Sequence, residues 1–137
     1  MRAINLVAFV VLNMVAIGSF GQHKNSAPKI DYISIDGKKS PSVVPLNPGE
    51  KYLVKVVATD PEGDKLKATW ELFAKTEISK AIEEKRKPVA IPDMVTGSLE
   101  NVMLDVPIKQ GGYRLILTVS DGVKNVTTSS IDLQVLE

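Results

Sequence analysis

Alternation of apolar and polar residues dominates this sequence from about residue 50 to its end. In residues 66–73, for example, Ala68, Trp70 and Leu72 are separated by charged or hydroxyl side chains. A period of two residues is typical of β-strands that bury one face only. Together with a broken first strand around Ile33, five such segments predict an all-β fold, an antiparallel two-sheet β-sandwich. The five segments are residues 52–59, 66–73, 102–106, 113–120 and 131–135.

Two segments depart from this alternation. Residues 40–49 contain three prolines, so we expect an irregular edge segment that closes in a turn. Residues 76–87 are dense in charge, with Ile78 and Ile82 four positions apart. That spacing places two side chains on one face of a short helix. We therefore predict a short charged insertion between strands, either one or two helical turns or a mobile loop.

The N-terminus has the organisation of a secretory signal peptide. Arg2 precedes an apolar run over residues 4–17, and small residues follow that run. Ser19 and Gly21 occupy the positions three and one before a cut, so we expect cleavage between Gly21 and Gln22. The alternative is a retained membrane anchor, but the run is shorter than the roughly 20 apolar residues that span a bilayer.

The predicted organisation is therefore a signal peptide over 1–21, a flexible leader over 22–28 and a sandwich domain over 29–137. We expect an extracytoplasmic protein, periplasmic or secreted, with no membrane insertion after signal cleavage. The chain has no cysteine, which suits a bacterial envelope or secreted protein without disulfides. Its 17 basic and 16 acidic side chains nearly balance, which gives no electrostatic argument for a nucleic-acid partner.

The sequence contains few of the side chains that usually act in catalysis. His23 is the only histidine and lies in the predicted leader, which argues against a histidine-centred metal site and a Ser-His-Asp triad. A cysteine nucleophile and a glycine-rich phosphate loop are also missing from the sequence. We therefore expect no enzymatic activity and no organic cofactor. A small glycan-active enzyme using paired carboxylates remains an alternative.

Acidic residues gather in two turns between strands. Asp60, Glu62 and Asp64 lie in the first turn, and Asp121 opens the second. If both turns lie at the same end of the sandwich, the four carboxylates can supply oxygen ligands for Ca²⁺. In the other interpretation, Asp60 and Asp64 accept hydrogen bonds from turn amides and cap the strand ends. The sequence favours this second interpretation, because isolated acidic turns are common.

Two aromatic residues have expected structural roles. Trp70 is predicted to lie in the centre of the core, as in many sandwiches, rather than to form an exposed surface for stacking sugars. Tyr113 follows two glycines and opens a predicted strand. We expect it to form a tyrosine corner, in which the hydroxyl bonds back to the backbone.

Four motifs of this chain carry a resemblance to a known family. They are VVATDPEGDKL over residues 56–66, Trp70-Glu71-Leu72, Gly112-Tyr113-Arg114-Leu115 and Val119-Ser120-Asp121-Gly122. These motifs resemble those of immunoglobulin-like β-sandwiches of the PKD and cadherin-like type in bacterial extracellular proteins. The nearest resemblance is to the accessory sandwich that follows the barrel in Bacteroidetes family 2 glycoside hydrolases, and it extends from about residue 28 to 135.

This resemblance implies an immunoglobulin-like fold, an extracytoplasmic location and a loose association with polysaccharide processing. In those enzymes the active site lies in the barrel, so no catalytic residue carries over. The chain is either a free-standing relative or a fragment of a larger protein.

We therefore predict a non-catalytic exported binding or accessory module whose partner is an envelope protein or a glycan. The alternative suggested by the acidic turns is a calcium-stabilised adhesion-type domain.

Overall fold

Nine β-strands and one short helix make up the described part of the chain. The structure is a computed structural model that describes residues 25–122 and 124–137. The predicted signal peptide and the first residues of the predicted leader lie outside these ranges. In chain order, the elements are β1 (Lys29–Ile35), β2 (Lys38–Lys39), β3 (Val44–Leu46), β4 (Lys51–Thr59), β5 (Lys67–Ala74), α1 (Lys75–Glu83), β6 (Val95–Thr96), β7 (Val102–Asp105), β8 (Gly111–Ser120) and β9 (Val126–Val135).

The strands form two sheets, as the alternation predicts. One sheet has the order β2-β1-β4-β7-β6, and the other has the order β3-β9-β8-β5. The longest antiparallel ladders join β8 to β5 and to β9. The prediction of an all-β, two-sheet architecture is confirmed.

Strand β3 is the exception to antiparallel pairing. It runs parallel to β9, with Val44 opposite Leu133 and Leu46 opposite Val135. As predicted for this proline-rich segment, β3 lies at the edge of its sheet. Pro45 is tolerated there because an edge strand needs ladder hydrogen bonds on one side only.

Alternate side chains of the long strands meet between the two sheets and form the core. Along β8 every second residue is buried, so that Leu115 and Leu117 are fully enclosed. Burying a side chain of this size contributes about 1.5–3 kcal/mol. Ile116, which interrupts the polar side of β8, is half-buried because it lies on the opposite face of the strand.

Trp70 lies on the core face of β5 but not in the centre of the core. It is half-buried and packs against the core, and its indole Nε1 donates a hydrogen bond to the carbonyl oxygen of Ser98 at 2.7 Å. The prediction of a central position is wrong because β5 is the outer strand of its sheet. At that edge the residue is covered partly by the loop between β6 and β7.

The charged insertion forms helix α1, which packs against β8 and β5. Its most buried residue is Ala81, whereas the side chain of Ile82 is 72% exposed. Of the predicted alternatives, the short helix is therefore confirmed, and Ile78, which shares a face with Ile82, is half-buried. After the helix, the chain returns along β5, where the amide of Ile91 donates to the carbonyl oxygen of Leu72 at 2.8 Å.

Across the described ranges, the structure contains no helix long and apolar enough to cross a membrane.

Candidate cation site at the acidic end

Both acidic turns lie at the same end of the sandwich. One follows β4 and the other follows β8, and residues from the start of the described chain contact both of them. The side chain of Asn25 donates to Asp121, and the amide of Ser26 donates to Glu62. We call this region the acidic end, formed by Asn25, Ser26, Asp60, Glu62, Asp64 and Asp121.

Asp60 organises the first turn with one of its two carboxylate oxygens. Its Oδ2 accepts the amide hydrogens of Glu62 at 3.1 Å and Asp64 at 2.8 Å. Gly63 sits at the tip with a φ of +74°, a conformation that residues with a Cβ rarely adopt. The interpretation of Asp60 as an acceptor for turn amides is therefore confirmed. Its second oxygen, Oδ1, is buried and has no hydrogen-bond partner.

Three carboxylates converge in this turn. Asp60, Glu62 and Asp64 each offer an oxygen, and these three oxygens lie within 4.8 Å of one another. Oδ2 of Asp64 is also buried without a hydrogen-bond partner. Within the described residues, no lysine or arginine forms an ion pair with this group.

The environment of Asp64 disfavours its charged form. Desolvation raises the pKa of the Asp64 carboxyl, and the negative charges of Asp60, Asp121 and Glu62 raise it further. A hydrogen bond from the side chain of Asn25 acts in the opposite direction. The net shift of the Asp64 pKa is upward.

Asp121 is not one of the three converging carboxylates, whereas the calcium interpretation of the sequence included it as a fourth ligand. It is only 4% exposed, and its Oδ2 accepts hydrogen bonds from the side chains of Asn25 at 2.6 Å and Asn125 at 3.0 Å. The backbone amide of Asn125 also donates a hydrogen bond to Asp121 Oδ1 at 3.3 Å. Asp121 therefore holds the second turn and the leader together while adding negative charge next to Asp64.

Sequence reasoning missed the contribution of the leader. The carbonyl oxygen of Asn25 accepts a hydrogen bond from the side chain of Asn125 at 3.0 Å. The Thr127 hydroxyl donates to the carbonyl oxygen of Pro28. No sequence signal marks these residues, because their partners lie about 100 positions further along the chain.

The donor set fits a hard divalent cation. Ca²⁺ takes six to eight oxygen ligands, from carboxylates, amide or backbone carbonyls and water. Asp60 and Asp64 each hold a buried oxygen without a partner, and Glu62 lies beside them. The arrangement can bind a cation without breaking the hydrogen bonds that fold the turn, since Oδ2 of Asp60 makes those bonds.

The opposite end of the sandwich has a different surface. A cleft of about 580 Å³ opens there between the sheets, and we call it the apolar end. Ile108 projects from it with 82% of its surface exposed. At its base the Tyr113 hydroxyl donates to the carbonyl oxygen of Lys109 at 2.7 Å, so the predicted tyrosine corner is confirmed. The apolar side chains lining the cleft are Ile91, Met94, Val106, Pro107, Ile108 and Tyr113.

No family model matches the chain, and comparison with curated proteins gives no match either.

Proposed function

We propose that this chain is an exported, non-catalytic binding module of the immunoglobulin-like type, and that its acidic end binds Ca²⁺. The observation that carries the cation proposal is the pair of buried carboxylate oxygens, on Asp60 and Asp64, that have no hydrogen-bond partner. Buried charged atoms of this kind are costly unless a counter-charge satisfies them.

The sheet order supports the immunoglobulin-like assignment. Strands β1, β4, β7 and β6 lie side by side in one sheet, and β5, β8 and β9 lie side by side in the other. This is the arrangement of strands A, B, E and D against C, F and G in that fold. The tyrosine corner at the start of β8 lies at the position where strand F carries one.

The electrostatics of the first acidic turn supports the proposal that it binds a cation. Three carboxylates within one turn repel each other, and desolvation together with this repulsion raises the pKa of the Asp64 carboxyl. A bound Ca²⁺ changes the balance, because the same oxygens then face a charge of opposite sign. Asp60, Glu62 and Asp64 supply the carboxylate ligands, and carbonyl groups or water complete the six to eight oxygens.

Unfolding with and without the cation tests this site. We expect saturating Ca²⁺ to stabilise the folded protein by about 2.7 kcal/mol at a concentration one hundred times Kd, compared with chelator. Asp64→Asn removes one charge from the site and should abolish this difference. The matched control is Asp105→Asn at the apolar end, which pairs with Lys51 and should leave the response to Ca²⁺ intact. Identical unfolding of the wild type in Ca²⁺ and in chelator would disprove the site.

The apolar end supports a docking role with a protein partner. Its cleft is lined mainly by aliphatic side chains, and the ring of Tyr113 is 4% exposed. Sugar rings bind best on exposed aromatic faces, whereas an aliphatic cleft suits an apolar side chain of another protein. Of the two partner classes predicted from the sequence, the cleft therefore favours an envelope protein over a glycan.

Site-specific photocrosslinking in the producing cell tests this docking surface. A photoreactive residue at position 108 should give a discrete crosslinked species of higher mass in the envelope fraction. The control position is 126, because Val126 is 55% exposed but lies at the other end of the sandwich. The proposal fails if position 108 gives no crosslink or the same pattern as position 126.

Export has its own test. The protein recovered from the envelope fraction or the medium should begin at or near Gln22 when its N-terminus is sequenced. Recovery of a cytoplasmic protein that still begins at Met1 would contradict export.

A further inference from the structure

We propose that the cleft at the apolar end binds a single-chain anionic amphiphile, a molecule with one aliphatic chain and a carboxylate head of the fatty-acid type. This goes beyond the docking role proposed above, because it gives the cleft a small-molecule ligand. The proposal rests on two adjoining cavities that differ in size and lining, and on the basic side chain of Lys109, which borders both of them.

The larger cavity, which is the cleft itself, suits an aliphatic chain. Its volume of about 580 Å³ lies within the range of about 300–1,000 Å³ that small-molecule sites occupy. The side chains that line it are mainly aliphatic, and Ile108 extends from its rim with 82% of its surface exposed. An alkyl chain that covers these groups removes apolar surface from water, and this removal favours binding.

Hydrogen bonds hold the walls of the cleft in place. The amide of Asp105 donates to the carbonyl oxygen of Met94 at 2.7 Å, and the amide of Gly49 donates to the carbonyl oxygen of Val106 at 3.1 Å. The Tyr113 hydroxyl bonds to the loop that leads into β8. Because the backbone groups of these walls bond to one another, the cleft is formed before a ligand enters, as is usual for small-molecule sites.

A smaller polar pocket adjoins the cleft. Its volume is about 90 Å³, and it shares Ala74, Lys109 and Tyr113 with the cleft. Thr76 and Gln110 add a hydroxyl and an amide group to its lining. A ligand that fills both cavities has an apolar body and a polar head. The small volume of this pocket favours a compact carboxylate over a bulkier phosphodiester headgroup.

The charge at the boundary between the two cavities favours an anionic head. Lys109 is exposed, and across the described part of the chain no carboxylate lies within ion-pair distance of its ammonium group. Asp105, which also lines the cleft, lies 3.8 Å from the Lys51 ammonium. The acidic group of the lining therefore has a basic neighbour already, and the head of the ligand meets the positive charge of Lys109.

Titrations of the full mature chain with matched amphiphiles test the proposal. Decanoate, decanol and decyltrimethylammonium share one alkyl chain and differ in the charge of the head. Amide chemical shifts follow binding, with residues 108–112 as the expected site and residues 62–64 as the remote reference. The variants are Lys109→Gln and the conservative Lys109→Arg. The matched control is Lys67→Gln, because Lys67 is exposed and pairs with Ser120 beside the second acidic turn.

We expect decanoate to bind about fivefold more tightly than decanol, which is the upper range for one exposed ion pair. Decyltrimethylammonium should bind most weakly. Lys109→Gln should remove the preference for decanoate, whereas Lys109→Arg and Lys67→Gln should keep it. Shortening the chain to octanoate should weaken binding by up to about fourfold for each methylene group removed.

Equal affinities of the wild type for decanoate and decyltrimethylammonium would overturn the proposal, and so would the absence of binding or shifts confined to other parts of the protein. Flotation with phosphatidylglycerol vesicles distinguishes a free fatty acid from a membrane surface. We expect the protein to stay unbound, and vesicle binding that Lys109→Gln abolishes would overturn a single-chain ligand. The photocrosslinking test of docking uses no added amphiphile, so either proposal can fail while the other stands.

Discussion

The acidic end differs from the charged surface around α1, which carries Asp132 and Glu77 together with their basic partners. Both regions contain carboxylates, but the pKa values of these carboxylates are shifted in opposite directions. On the surface around α1, Asp132 accepts hydrogen bonds from Arg114 and lies 2.9 Å from the Lys75 ammonium. The Arg114 guanidinium and Lys75 lower the pKa of the Asp132 carboxyl. At the acidic end, the pKa of Asp64 is raised, because desolvation and neighbouring carboxylates act together.

The difference between the two regions bears on the proposed cation site. Acidic residues alone do not mark one, since Glu77 on α1 is held by Arg86 at 2.7 Å and needs no further partner. The distinguishing feature of the acidic end is that a cluster of carboxylates lacks a basic side chain among the described residues. Among the described residues, basic side chains pair with the carboxylates around α1, and none pairs with Asp60, Glu62 or Asp64.

The largest predicted effect tests whether the two ends of the sandwich are independent. Tyr113→Ala empties a buried site at the apolar end and should destabilise the fold by about 3–5 kcal/mol, as truncation of large aromatic residues does. Tyr113→Phe, which removes only the hydrogen bond to Lys109, should cost about 1 kcal/mol. Denaturant unfolding should give the same losses in Ca²⁺ and in chelator. A loss that depends on the cation would show that the ends are coupled.

A second prediction compares two matched substitutions of aspartate by asparagine. In chelator, Asp132→Asn should destabilise the protein by about 1 kcal/mol, because an exposed network of ion pairs is worth little more. Asp64→Asn should instead stabilise it at neutral pH, because a charge that is disfavoured in the folded state disappears. Adding Ca²⁺ should reverse the sign at position 64 and leave position 132 unchanged. If both substitutions changed the unfolding free energy in the same direction in chelator, the contrast between the two regions would be wrong.

The same pair of residues gives opposite dependences on pH. The raised folded-state pKa of Asp64 means that the folded protein binds its proton more tightly, so this group's contribution to stability falls as pH rises through that pKa. The lowered pKa of Asp132 means that its contribution is present above its usual value of 3.8 and is lost as pH falls. Unfolding curves of the two variants and the wild type, recorded in chelator from pH 3 to 7, measure both slopes.

The smallest predicted effect concerns Glu77. Hydrogen bonds from Arg86 and the amide of Val89 lower its pKa from 4.5 to about 2. Its contribution to stability is therefore complete above pH 4.5 and is lost as pH falls towards 2. The difference in unfolding free energy between wild type and Glu77→Gln should shrink over that interval. Glu100→Gln, at an exposed position, serves as the control substitution.

The sequence predicted the structure best where residues close together in the chain determine it. Alternation along residues 113–120 correctly predicted which residues of β8 are buried, because the two-residue period follows from backbone geometry alone. The tyrosine corner was also predictable, since a short local bond to Lys109 defines it.

The failures have a common physical origin in long-range packing. The partial burial of Trp70 follows from the position of β5 as an outer strand, which the local pattern does not encode. At the candidate site, the three carboxylates within one turn were predictable because they are close in sequence. The contact between Asn25 and Asp121 was not predictable, because it spans 96 positions.

The return of the chain along β5 has a consequence for self-association. An outer strand presents unpaired backbone groups, and these can template pairing with another molecule of the same protein. Ile91 occupies the middle of that edge by donating its amide to Leu72. The segment between α1 and β6 therefore interrupts the edge where two sandwiches would otherwise add strand to strand. Shortening it would leave the Leu72 carbonyl open and favour aggregation through β5.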